Sequence, residues 1–161
     1  MAVSVSIKIK GLERLQQTLL ERKERLEKVL DMKLTQLAEE AVTHAKQNKG
    51  YKDRTANLKN SISYALFYDG SLVKQNIGNL PKPEESRYGQ NGVQSALEQF
   101  SAEEGVVRPK GYSLVIVAGM EYGAYVEHHG YNVLHLTRYF LRDEMKKILG
   151  ETIESIKKGK V

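Results

Sequence analysis

Residues 51–64 read YKDRTANLKNSISY, and the chain changes its hydrophobic period across them. Upstream, Leu12, Leu15, Leu19, Leu26, Leu30, Leu34, Leu37, Ala41 and Ala45 recur by threes, fours or a full seven, as one stripe of a helix does. Downstream, Ile62, Tyr64, Leu66 and Tyr68 alternate, the pattern of a strand. Asp69-Gly70 is a strong turn dipeptide, and Leu72, Lys74 and Ile77 carry a weaker returning strand, so a hairpin is expected. A long helix leading into a hairpin predicts an α+β domain. Its antiparallel sheet packs against a long N-terminal helix and a C-terminal helix, with a long inserted arm.

Working outward toward the N-terminus, the helical stripe predicts one helix from Leu12 to about Gln47. At 1.5 Å per residue it would be roughly 50 Å long, more than a small domain covers by itself. Part of it must lean on something else: the stripe either covers the core or pairs with another helix. Glu21 with Arg25 and Glu24 with Lys28 have the favourable acid-first spacing of four on the exposed face. Ahead of the helix, Val3, Val5, Ile7 and Ile9 fall on one face at period two, which reads as a strand ended by Gly11. Behind it, Gly50 closes the helix, and Thr55 stands where a hydroxyl caps a short helix through Asn57, Leu58 and Lys59.

Working toward the C-terminus, Pro81, Pro83 and Pro109 bound a polar segment from Asn79 to Gly111. Val93, Ala96, Leu97 and Phe100 inside it have helical spacing, so the expectation is a long excursion with a short helix, detached from the core as a flexible loop or an interaction arm. YSLVIVAG, residues 112–119, is the most apolar strand and is expected at the sheet's centre. The last helix reads from about Thr137 to Ile156, with Phe140, Leu141, Met145, Ile148, Leu149 and Ile156 on its buried stripe. Lys157, Lys158 and Lys160 suit the negative end of its dipole.

At 161 residues the chain is the size of one domain. Its 40% hydrophobic and 28% charged composition is that of an ordinary soluble globular protein. No apolar run approaches the roughly 18 residues of a membrane span. The chain has no cysteine, which removes disulfides and thiolate metal sites. His128, His129 and His135 lack the spacing that sets two imidazoles on one helical face, so no metal or cofactor is expected. Neither a nucleophile motif nor a phosphate-cradling glycine loop is present, which argues against an enzyme. The formal charge of +5 and the cluster Lys46, Lys49, Lys52, Arg54 and Lys59, with Tyr51 as a stacking ring, leave a basic nucleic-acid-binding module as the alternative reading.

Three blocks in order carry a resemblance. Thr55, Leu58, Ser61 and Ile62 match Thr-Gly-x-Leu-x-x-Ser-Ile. Tyr122, Tyr125, Val126 and Glu127 match Tyr-Ala-x-Tyr-Val-Glu-x-Gly, whose glycine falls one residue later here, at Gly130, and Phe140 and Leu141 match the Phe-Leu that opens a last helix. The chain resembles the tail-completion or head-tail joining family of long-tailed bacteriophages, the neck or minor capsid proteins. It departs at Ala56 in place of glycine, at Gly123 in place of alanine, and in the length of the excursion. The resemblance implies a virion protein of the neck that assembles in the host cytoplasm into a ring, commonly of six copies. That ring lies between a portal-side or head-completion protein and a tail-tube or terminator protein, with the genome passing its lumen without tight binding. Lys52, Arg54 and the matched residues would then serve packing and subunit contacts. The second block is expected to form a short helix with Tyr125 and Val126 packed inward and Glu127 held by a basic or hydroxyl partner.

Overall fold

The computed structural model describes residues 11–87 and 89–160; the strand expected at residues 2–9 lies outside them. Among the described residues, five α-helices and three strands follow in the order α1 (Leu12–Gln47), α2 (Asn57–Asn60), β1 (Ile62–Tyr68), β2 (Ser71–Asn76), α3 (Gly89–Ala102), β3 (Tyr112–Ala118), α4 (Gly123–His128) and α5 (His135–Lys157). The strands form one antiparallel sheet in the order β2-β1-β3. The α+β class and the long first and last helices are as the periodicities predict.

The hairpin turns at Asp69 and Gly70, both at positive φ, 47° and 78°, as a two-residue connection with the twist of its strands requires. β1, not β3, is the sheet's centre. Both of its faces are covered: Ile62 and Tyr64 pack with Ala38, Val42 and Ala45 of α1, while Ala65 packs with Leu97 of α3. β3 is an edge strand whose residues alternate between buried and half-buried. Its continuous apolar run reflects cover on both faces, by α1 and α5 on one side and α3 on the other, a pattern that a central and a covered edge strand share.

The segment between Asn79 and Gly111 is not detached from the core. Its helix α3 buries Val93 and Leu97 completely, Val93 with Leu58, Met120 and Val133, and Leu97 with Val115 and Val117. Proline and glycine at its ends mark turns; they do not separate the helix between them from the sheet.

On the opposite face, Leu34 and Leu37 of α1 meet Leu66 of β1, with Phe140, Leu141, Met145 and Ile148 of α5 packed alongside. Burying each such leucine contributes about 1.5–3 kcal/mol. Three tyrosine hydroxyls bind the sheet to carboxylates of α1: Tyr64 donates to Glu39 at 2.8 Å, Tyr68 to Glu27 at 2.6 Å and Tyr112 to Asp31 at 2.6 Å. These attachments begin at Glu27. Every residue from Gly11 to Arg25 is exposed, so the first four turns of α1 stand clear of the body.

Candidate functional site

The first two motif blocks meet at one junction, built where the C-terminus of α1, the α2 turn and α4 converge. The chain leaves α1 through Asn48 and passes Asn132: the Gly50 N–H donates to the Asn132 carbonyl at 3.1 Å, and the Asn132 amide donates to the Asn48 carbonyl at 2.6 Å. The Asn132 Oδ1 in turn accepts from the Leu136 N–H at 2.9 Å, satisfying an orphan donor at the start of α5.

Thr55 stands one residue ahead of the N-cap position, which Ala56 holds, and its hydroxyl accepts from the Asn57 N–H at 3.3 Å at the start of α2. Its side chain also meets the Tyr122 hydroxyl, which ties the first block to the second. Ala56, between them, has φ 61°, the left-handed region that glycine occupies without strain. Leu58 is buried and would lie 3.3 Å from a Cβ on Gly123, so α2 and α4 touch. Ser61 is fully buried and donates to the Leu58 carbonyl at 2.8 Å, while Ile62 enters the core as the first residue of β1.

The second block forms the short helix α4, as expected, but only part of it faces inward. Val126 packs against the cluster of Leu58, Leu80, Val93, Met120 and Val133. Tyr125 does not: it is 66% exposed, with its ring 3.9 Å from that of His129. On a single turn of helix the two neighbours differ by about 100°, so only one of them can face the core. Glu127 is held, though by neither a basic nor a hydroxyl partner. Its Oε2 accepts from the backbone N–H groups of Val133 at 3.1 Å and Leu134 at 2.7 Å. Gly130, at φ 81°, turns the chain after α4 so that these amides come back over the carboxylate.

The third block lies apart, on the α1–α5 contact. Phe140 stacks on His44 with ring centroids 4.6 Å apart and planes 13° from parallel, and the His44 Nδ1 lies 3.2 Å from the Thr137 hydroxyl. Leu141 packs with Leu34, Leu37 and Leu66.

The basic cluster divides. Lys49 pairs with Asp53 at 2.7 Å and lies over the Tyr51 ring. Lys46 is half-buried beside Lys59, and burial, with Lys59 adding to it, lowers its pKa against the opposing pull of Glu39. Lys52 and Arg54 are exposed. The Tyr51 hydroxyl is buried with no hydrogen-bond partner; burial raises its pKa, and Asp53, Tyr122 and Glu127 add to the effect. Burial and then Glu121 raise the pKa of Tyr122 as well.

Among the described residues, no group of three or more histidine or acidic side chains is placed to hold a metal ion, and no helix is long and apolar enough to cross a membrane. His128 and His129 direct Nδ1 at the carbonyls of Ala124 and Tyr125, four residues back. The arrangement organises backbone. A half-buried carboxylate acceptor, a serine, a threonine and an asparagine all satisfy main-chain groups, and the apolar residues fill the space between elements.

Asn132, Glu27, Asp31 and Glu39 lie outside the motif blocks. Asn132 stands four residues ahead of Leu136 at the head of a helical run, which is a cap-like position. The three acids carry no sequence signal beyond their place on one side of α1. No known protein family, curated protein or solved structure matches this chain.

Proposed function

We propose that this chain is a structural virion protein of a long-tailed phage neck, whose copies form a ring joining the portal side of the head to the tail tube. Three short blocks in the order of the tail-completion family support the reading, and most of their residues, though not the exposed Tyr125, are employed in packing and in satisfying backbone.

The observation that carries self-association is the free end of α1. Leu12, Leu15, Leu19 and Leu20 are 46% to 60% exposed on a helix that stands clear of its own body. Four leucines on one such surface constitute an apolar patch of the kind that marks a protein contact. A closed ring needs two different patches on each subunit; the projecting helix is one, and the junction with Lys52 and Arg54 at its surface is expected to contribute to subunit or neck-protein contacts. Individual exposed ion pairs contribute only about 0–1 kcal/mol, but a ring repeats each of them.

Electron microscopy of the concentrated chain tests this directly. Closed rings are the expected result. A monomer that binds DNA with a steep dependence on salt would instead favour the nucleic-acid reading of the basic cluster.

A further inference from the structure

Among the described residues, the outer edge of β3 is open. The Gly119 N–H donates to the Ser61 carbonyl at 3.2 Å, and the Asp69 N–H donates to the Gly111 carbonyl at 3.0 Å. Antiparallel alternation from these pairs directs the N–H groups of Leu114, Ile116 and Ala118 away from β1. No described strand lies on that side. The edge runs along the floor of an apolar groove of about 600 Å³, walled by Phe100 and Val106 on one flank and Leu134 on the other. Such an edge, with apolar walls on both sides, fits an added strand with apolar side chains at alternate positions.

The chain contains one further stretch with that pattern. Residues 2–9, AVSVSIKI, set Val3, Val5, Ile7 and Ile9 at period two, and they adjoin the free end of α1. Their reach decides which edge they serve. The Tyr112 end of β3 lies beside Glu27 and Asp31, since the Tyr112 hydroxyl donates to the Glu27 carbonyl at 3.2 Å and to Asp31. The helix from Gly11 to Glu27 is about 24 Å long. Residues 2–10 fully extended span about 30 Å, so the return journey uses most of the segment before it could begin to pair along its own β3. The projecting helix sets its own start, at Gly11, well away from the Tyr112 end of the sheet.

We propose that residues 2–9 add as a strand to the open β3 edge of a neighbouring copy, with Leu12, Leu15 and Leu19 of the donor packing beside the groove. Donor arm and acceptor edge are different surfaces, so the contact is head-to-tail and closes into a ring when the rotation allows. The inference rests on the proposed self-association and identifies its two surfaces.

The absence of cysteine in the natural chain makes the test clean. Chains carrying V5C or S6C are mixed with a separate, isotope-labelled batch carrying I116C and oxidised. In parallel, a chain beginning at Gly11 is titrated with a fluorescent peptide of residues 1–11. Crosslinks between labelled and unlabelled chains are expected, together with peptide binding to the shortened chain. Ile116→Pro should weaken that binding roughly tenfold or more, because the lost N–H faces outward and the β1 ladder keeps its bonds; Ile116→Ala should weaken it less. Circular dichroism confirms the fold of each variant. A shortened chain that still forms rings, does not bind the peptide and accompanies a full chain without mixed crosslinks overturns strand donation while leaving the ring intact. Peptide binding by a protein whose full chain never closes into rings supports strand donation and removes the neck reading.

Discussion

The backbone of Gly50 donates to the carbonyl of Asn132 at 3.1 Å, and a Cβ added to Gly50 would stand 2.9 Å from the Asn132 nitrogen. The glycine is there for this approach, which lets the segment leaving α1 run against the loop ahead of α5. Gly50→Ala should therefore lower stability by about 1–3 kcal/mol through a backbone displacement, and Asn132→Ala should lower it by about 1–2 kcal/mol through the lost cap. Urea unfolding of both variants measures this; an unchanged Gly50→Ala midpoint would show that the two segments are not in contact.

Ala56 at φ 61° is strained relative to glycine by about 1–2 kcal/mol. Ala56→Gly should raise stability by about 0.5–1 kcal/mol, the remainder being offset by glycine's greater freedom in the unfolded chain. Ala56→Val should do the opposite. The turn is thus one that glycine would occupy without strain.

Replacing Glu127 by alanine would leave the Val133 and Leu134 amides without an acceptor, Val133 being buried. A loss of about 1–3 kcal/mol is expected, while Glu127→Gln, which keeps an oxygen in place, should lose less. Equal losses in the two variants would mean that the carboxylate's charge, not its acceptor role, is what the fold uses.

Alkaline pH should weaken the fold through the tyrosines that fasten the sheet to α1. Donation to Glu27, with burial adding to it, pushes the Tyr68 hydroxyl up to about 12, and burial followed by hydrogen bonding to Glu39 and Asp31 raises Tyr64 and Tyr112. Raised folded-state values mean that the contribution is complete below the unfolded value near 10 and is lost as pH climbs through the folded one. Unfolding midpoints from pH 9 to 12 should fall in the parent and fall less when Tyr64, Tyr68 and Tyr112 are all phenylalanine. Parallel declines would assign the alkaline loss to other groups.

Excision of residues 83–107 with a short linker should abolish cooperative unfolding, because Val93 and Leu97 would leave the core. Leu97→Ala alone should cost about 2–5 kcal/mol. A deletion protein that still unfolds in one sharp transition would show that α3 is dispensable to the sheet.

Local periodicity carried much of this architecture. The bounds of α1, the Asp69-Gly70 hairpin and the helix within the excursion follow from side-chain spacing, because helices and two-residue turns are specified by neighbours in the chain. Strand order was not legible in that way. YSLVIVAG reads as a central strand, yet β3 lies at the edge, since apolar cover by helices leaves the same pattern as burial between strands. The detachment expected of residues 79–111 failed for a related reason: proline and glycine report turns, whereas packing of Val93 onto the sheet depends on residues far away in sequence. At the junction, hydroxyl and carboxylate positions were recognisable, but Glu127 satisfies backbone amides, and which amides return to it depends on the turn at Gly130.

Light scattering over a wide concentration range, on the parent and on a Leu15→Glu, Leu19→Glu double variant, tests self-association through α1 most directly. Leu15 and Leu19 are exposed in the single chain, so the double variant should retain the parent's circular dichroism and unfolding midpoint. The parent's mass should rise to a closed multiple of 18.2 kDa, while the variant stays at the mass of one chain. A parent that remains monomeric throughout, or a variant that assembles as well as the parent, would rule out assembly through α1.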